Sequence, residues 1–202
     1  MGGLESLLAD ADVQQLRDAL AAHEAPASES EEGVRKAAVA LIFRSGADGQ
    51  PELLFIKRAD YPGDPWSGQV AFPGGREEPG DSSLADTATR ETREETGIDL
   101  SRGGTFIGTL DDLRPRINRL PDVIVRPYVV LLDHWEPLIL SQEVALAFWI
   151  PLAALRESGS WRDTQVLARG IQINTRAFHH EGHIVWGMTE RILGQLLKLL
   201  GG

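Results

Sequence analysis

The 202-residue chain contains no cysteine. Disulfides, thiolate nucleophiles and Cys-based zinc sites are therefore excluded. Positive charge is also scarce, with 20 Lys and Arg against 30 Asp and Glu and a net charge of −10. Such a balance argues against a nucleic acid polymer as the main partner, because duplex binding neutralises phosphates with a basic face. Small anionic substrates stay open, since a bound metal and a few local arginines can reverse the field inside one cleft. No apolar run approaches membrane-spanning length. The start, Met1-Gly2-Gly3-Leu4-Glu5-Ser6, lacks the basic and apolar regions of a secretory signal. It fits a short myristoylation pattern, but no polybasic patch adds the second signal that stable anchoring needs. A cytoplasmic protein without a membrane partner is the expectation. Neither a Gly-x-Ser-x-Gly elbow nor a Gly-Lys-Ser/Thr phosphate loop is present, which weakens serine-hydrolase and P-loop readings.

The length suits one domain with an N-terminal appendage and is ample for a hydrophobic core. Leu4, Leu7, Leu8, Val13, Leu16 and Leu20 recur near helical spacing, so residues 4–22 read as one or two amphipathic helices. The polar stretch 25–33 marks a boundary, dividing an N-terminal helical segment and linker, 1–33, from the main domain, 34–202. Residues 36–44 and 52–57 read as buried strands joined by a turn over Gly46-Ala47-Asp48-Gly49. Further strands are expected at 106–110, 123–132 and 144–150, the second interrupted by Pro127, with helices over 151–157 and 188–200. Strands interleaved with a few helices imply an α/β sandwich around a mixed sheet.

The most informative stretch is Gly74-Gly75-Arg76-Glu77-Glu78-Pro79-Gly80-Asp81 followed by Arg90-Glu91-Thr92-Arg93-Glu94-Glu95-Thr96-Gly97-Ile98. If 82–96 is helical, Glu91, Glu94 and Glu95 fall within one narrow arc. Like charges at that spacing destabilise an isolated helix by a few tenths of a kcal/mol per pair, so a cation should compensate. Mg²⁺ or Mn²⁺ takes oxygen ligands and commonly holds phosphates, which points to phosphoryl chemistry. Arg90 stands four residues before Glu94 and can orient it. Gly97 supplies the left-handed cap, while Asp81 or Ser82 can cap the start. The alternative is a solvated acidic helix with ordinary Arg–Glu pairs, but the glycine loop, the arginine and the spaced glutamates coincide.

These residues resemble the Nudix box, G-x5-E-x7-R-E-U-x-E-E-x-G-U, where U is aliphatic. Arg90, Glu91, Glu94, Glu95, Gly97 and Ile98 match it. Asp81 replaces a glutamate, eight residues rather than seven separate it from Arg90, and Thr92 holds an aliphatic position. The segments Leu53-Leu54-Phe55-Ile56-Lys57-Arg58, Gly68-Gln69-Val70-Ala71-Phe72-Pro73-Gly74-Gly75 and Val185-Trp186-Gly187-Met188-Thr189-Glu190-Arg191 resemble the coenzyme A pyrophosphatase branch of that family. The resemblance implies a Nudix-type α/β/α sandwich around a mixed sheet. It implies metal ligands at Glu91, Glu94, Glu95 and the Gly75 carbonyl, a catalytic set of Glu91, Glu94, Arg90 and Glu143, and Mg²⁺ or Mn²⁺ as cofactor. The implied reaction cleaves a nucleoside diphosphate linked to another group, with coenzyme A or an acyl derivative foremost, giving 4′-phosphopantetheine and adenosine 3′,5′-bisphosphate. ADP-ribose, dinucleoside polyphosphates and oxidised nucleotides are alternatives. A non-catalytic nucleotide-binding module of the same fold is a further one, against which the intact glutamates speak.

Outside the box, Glu143 is a candidate base or extra ligand, weighed against an exposed carboxylate at a strand edge. Glu78 is a lesser candidate, and Asp111-Asp112 reads as a turn. Lys57 and Arg58, together with the basic loop Arg114-Pro115-Arg116-Ile117-Asn118-Arg119 and Arg126, could hold phosphates. For the loop, a solvated surface segment is the alternative. Trp66 could stack on a base or anchor its loop. His179-His180-Glu181-Gly182-His183 reads as a hairpin turn and not a metal site. A homodimer is left open.

Overall fold

The computed structural model describes residues 3–25, 33–63, 66–115, 122–134, 137–168 and 170–201. Two N-terminal helices, α1 (Gly3–Ala9) and α2 (Ala11–Ala22), precede β1 (Arg35–Ser45) and β2 (Pro51–Arg58). Short strands β3 (Val70–Ala71) and β4 (Gly74–Arg76) lead into α3 (Leu84–Thr96) and α4 (Leu100–Gly103). Then come β5 (Gly104–Thr109), β6 (Val123–Leu132), β7 (Val144–Pro151) and α5 (Leu152–Leu155). A one-turn 3₁₀ helix precedes β8 (Trp161–Ala168), β9 (Ile171–His180) and β10 (His183–Trp186), and α6 (Gly187–Leu199) follows.

Strands β1–β7 form one mixed seven-stranded sheet in which β1 and β6 run parallel. Period-2 alternation divides β1 and β6 between two cores. Ala38, Ala40, Ile42, Val130 and Leu132 face α3 and α4 with Leu84, Ala88 and Leu100. On the other face, Leu41, Phe43, Val129 and Leu131 meet α1, α2 and α6 through Leu7, Val13, Leu16, Leu193 and Leu196. The result is an α/β/α sandwich around a mixed sheet. The N-terminal helices share this second core, and Asp10 caps α2 by accepting from the amides of Asp12 and Val13.

The sequence-expected strands at 36–44, 52–57, 123–132 and 144–150 coincide with β1, β2, β6 and β7. Pro127 is accommodated beside a bulge in β5 between Phe106 and Gly108, and its carbonyl accepts from the Leu110 amide. The expected helix over 151–157 shrinks to four residues. Strands β8 and β9 were not anticipated. Together with β10 they build a separate three-stranded antiparallel sheet. The turn between β9 and β10 is the expected hairpin, with Glu181 and Gly182 both at positive φ.

One irregularity positions the site. β1 pairs with β2 only at Phe43–Ser45, then diverges and pairs with β4 at Ala37–Val39. β2 meanwhile pairs with β3 at Ile56–Lys57. The glycine-rich chain between β3 and β4 fills the opening, and the Ala40 amide donates to the Pro73 carbonyl.

No helix among the described residues is long and apolar enough to cross a membrane. Leu16 has no exposed surface. Its replacement by alanine is expected to cost about 2–5 kcal/mol in a denaturant titration, against under about 0.5 kcal/mol for alanine at the exposed neighbour Gln15.

Candidate active site

Helix α3 begins at Ser83, not at Asp81 or Ser82, because the Ser83 hydroxyl accepts from the Asp86 amide. Gly97 ends it in the expected left-handed conformation, φ 79°. Asp81 is thereby freed for another task. Its carboxylate accepts from Arg90 Nε at 3.0 Å and Nη2 at 2.9 Å, from the Thr87 hydroxyl at 2.8 Å and from the Glu78 amide at 2.9 Å. The paired Arg90 guanidinium holds Asp81 well below the usual carboxylate range, with its own ionisation reinforced in return.

Arg90 also donates from Nη2 to the Arg76 carbonyl at 2.9 Å, and from Nη1 to Glu91 at 3.0 Å and Glu94 at 3.3 Å. It thus ties the loop after β4 to the helix and orients two box glutamates. Arg90 is a positioning residue in this geometry.

Glu95 lies beneath this layer, 4 % exposed, and accepts from the Gly74 amide at 2.9 Å. Burial pushes its carboxyl up to about 8, opposed by the Gly74 hydrogen bond and the nearby Arg58 charge. Burial also raises Glu91. The two glycines are constrained differently, Gly74 by backbone and Gly75 by the Glu91 side chain. A Cβ on Gly75 would stand 2.4 Å from the Glu91 carboxylate, and one on Gly74, whose φ is 148°, would lie 2.2 Å from the Ala38 carbonyl oxygen.

The segment 139–143 closes the wall. Ile139 and Ser141 donate their amides to the Thr96 and Glu95 carbonyls, satisfying the end of α3, while the Ala59 amide donates to the Glu143 carbonyl. The outcome is a cleft of about 950 Å³ lined by Arg58, Glu91, Glu94, Glu95 and Glu143, with Glu78 and Arg90 also present. Four separate segments of the chain meet there.

Not every candidate joins them. Strand alternation turns Lys57 to the opposite face of β2, where it lines a second cavity. Arg126 forms a two-pronged pair with Asp112 at 2.8 and 2.9 Å, so Asp112 is an ion-pair partner and not merely a turn residue. Arg114 pairs with Asp122. The phosphate-binding reading of that loop loses both arginines to carboxylates, and Arg116 lies outside the described residues. Sequence reasoning did not find Tyr61 and Gln142, which also line the carboxylate cleft. Tyr61 carries a weak signal as an aromatic in a Pro-Gly turn, whereas Gln142 carries none.

A hard divalent ion fits the donor set, since every candidate ligand offers oxygen and the burial of Glu95 disfavours its charge without a cation. Among the described residues no three acidic or histidine side chains are gathered tightly enough to enclose an ion. Glu91 and Glu94 instead turn to Arg90.

A NUDIX domain model matches residues 34–170, well over half of the chain. The chain belongs to the Nudix family. Two relatives, each named an uncharacterized Nudix hydrolase NudL, support this. That of Photorhabdus laumondii is 35 % identical over 154 residues, covering 74 % of this chain and 77 % of the relative. That of Yersinia pestis is 34 % identical over 150 residues, covering 74 % and 72 %. A MutT/nudix family protein from Enterococcus faecalis shares the fold, with TM-score 0.56, 18 % identity, and 98 % and 74 % of the two chains covered. A C. elegans Ap4A hydrolase does so with TM-score 0.50 and 24 % identity, covering 59 % of this chain and 82 % of that one. This Nudix protein is a hydrolase of nucleoside diphosphate-linked substrates, from a family that generally uses divalent metal ions.

The depressed Asp81 carboxyl carries a pH signature. Stability from a lowered pKa is present above the unfolded value, about 3.9, and is lost as pH falls through the folded one. Asp81→Ala is expected to destabilise this Nudix hydrolase by about 3 kcal/mol at neutral pH. The gap to wild type should narrow below about pH 4 in denaturant titrations across pH.

Proposed function

We propose that this hydrolase cleaves the diphosphate of coenzyme A or an acyl derivative, releasing 4′-phosphopantetheine and adenosine 3′,5′-bisphosphate. One observation carries the substrate assignment. Two of the three segments that resemble the coenzyme A branch, 68–75 and 185–191, meet in space, with the buried Thr189 hydroxyl donating to the Val70 carbonyl at 3.0 Å. Phe72 and Val185 bury in the same core, and Val70 and Trp186 line one cavity. The Gly68–Gly75 run then continues directly into the box, so these motifs form one connected wall.

Glu91, Glu94, Glu95 and the Gly75 carbonyl are the residues that would hold Mg²⁺ or Mn²⁺. When bound, the ion supplies neutralisation of phosphate charge and a more acidic water. The chain's own part is to place groups around the diphosphate. Arg58 lies on the same cleft wall, where a guanidinium can take two phosphate oxygens. Glu143, exposed, lining the cleft and held through its backbone to Ala59, would accept a proton from the attacking water. Arg90 keeps Glu91 and Glu94 oriented, and the rigid Gly74–Gly75 strand fixes Glu95.

Mass spectrometry of products after incubation with Mg²⁺ or Mn²⁺ and coenzyme A, ADP-ribose, NADH or diadenosine polyphosphates tests the assignment. Phosphopantetheine is expected to appear fastest. Faster cleavage of another member would discard coenzyme A while keeping the chemistry. Glu94→Gln is expected to lower turnover by about a hundredfold or more with the nucleotide still bound. Unchanged turnover would remove Glu94 from the metal site.

A further inference from the structure

The cavity on the far side of β2 has a composition opposite to that of the protein. Its volume is about 340 Å³, and it shares no lining residue with the carboxylate cleft. In a chain of net charge −10, no Asp or Glu among the described residues lines it. Among the described residues, the half-buried Lys57 contributes its one full cation. Gln69, Gln165 and the Trp186 indole add neutral donors from three further segments. Neither Lys57 nor Trp186, Gln69 or Gln165 gives its side chain to a hydrogen bond or ion pair with any described residue.

A half-buried lysine without a carboxylate partner among the described residues, sharing one cavity with unused donors, suits an anion with several acceptor oxygens. A phosphate monoester meets that need with three acceptor oxygens and up to two negative charges, whereas a single carboxylate offers two oxygens. Leu167, exposed, together with Ile184 and the Trp186 ring, adds an apolar wall suited to a ring or chain attached to the phosphate. The back of the cavity is rigid, because Thr189 bonds to the Val70 carbonyl and Val70 is paired to Lys57 across β2 and β3.

We propose that this Lys57 cavity is a binding site for a phosphate monoester carried on an apolar or aromatic group, separate from the cleft of the box glutamates. Lys57 is its charge anchor. The monoester can be the 3′-phosphate of the substrate's own nucleotide or that of a separate phosphorylated ligand. Assigning it to the substrate rests on the coenzyme A reading, but the existence of the site does not.

Isothermal titration of the full chain with adenosine 3′-monophosphate, in chelator and without added metal, tests the site independently of turnover. Wild type is expected to bind it more tightly than adenosine. Lys57→Gln should weaken binding about tenfold or more, and Lys57→Arg should stay within about twofold. Gln165→Glu, at an exposed strand position, should weaken it as Lys57→Gln does. Equal affinity across wild type, Lys57→Gln and Gln165→Glu, or no preference for the phosphorylated nucleoside, would overturn the proposal. A kinetic arm separates the two sources. If the substrate supplies the phosphate, the ratio of kcat/KM for coenzyme A over its 3′-dephospho form falls in Lys57→Gln. If weakened binding comes with an unchanged ratio, the site serves a separate ligand. Should neither form be cleaved, the substrate assignment fails while the titration still decides the site.

Discussion

The organisation of the active site depends on the pairing of Arg90 with Asp81. The carboxylate is almost fully buried, its side chain 5 % exposed, and four donors converge on it. An uncompensated charge so placed would cost several kcal/mol, so the guanidinium cannot leave without a large penalty. Because the same guanidinium holds the Arg76 carbonyl, Glu91 and Glu94, the glycine loop, helix α3 and two acidic side chains move as one unit. Helix α3 is thus locked to the loop by electrostatics, while Leu84 and Ala88 fix it to the sheet by burial.

The divergence of β1 from β2 gives that unit its place. Two adjacent strands that separate leave unpaired backbone groups, and these must be satisfied. The chain from Val70 to Arg76 does so by pairing first with β2 and then with β1. Only glycine fits where this ribbon passes over Ala38, and a Cβ at Gly75 would push the Glu91 carboxylate aside. Glu95 reaches into the gap and binds the Gly74 amide. On the far wall, the 139–143 segment satisfies carbonyls at the end of α3 and brings Glu143 to the cleft.

Alternation along β2 separates two electrostatic environments. Arg58 faces the acidic cleft, and Lys57 faces a cavity without acids among the described residues. One residue of register sets which cation belongs to which, and the bulge between Lys57 and Arg58 in the pairing with β7 falls at this point. The small sheet of β8, β9 and β10 supplies the other wall of the Lys57 cavity, while α1 and α2 cover the same side of the large sheet further along.

Local pattern by itself determined the box helix, its Gly97 stop, the arc of three glutamates and the main strands, because each rests on periodicity or on a backbone conformation that few residues adopt. The apolar spacing of Leu7, Val13, Leu16 and Leu20 likewise announced helices. The β8–β9 hairpin was illegible, since its mixed residues, from Arg162 and Asp163 to Ile171 and Gln172, belong to a partly exposed sheet with weak alternation. Only the tertiary structure decided that Asp81 is the partner of Arg90 and not a cap, that Asp112 and Asp122 claim Arg126 and Arg114, and that Lys57 and Arg58 part company. Each of these depends on which side chain meets which once the intervening loop or strand is folded, even where the partners are 8 to 14 residues apart. Charge pairing and strand facing are settled by the packed chain, where the nearest carboxylate is a matter of space and not of sequence order.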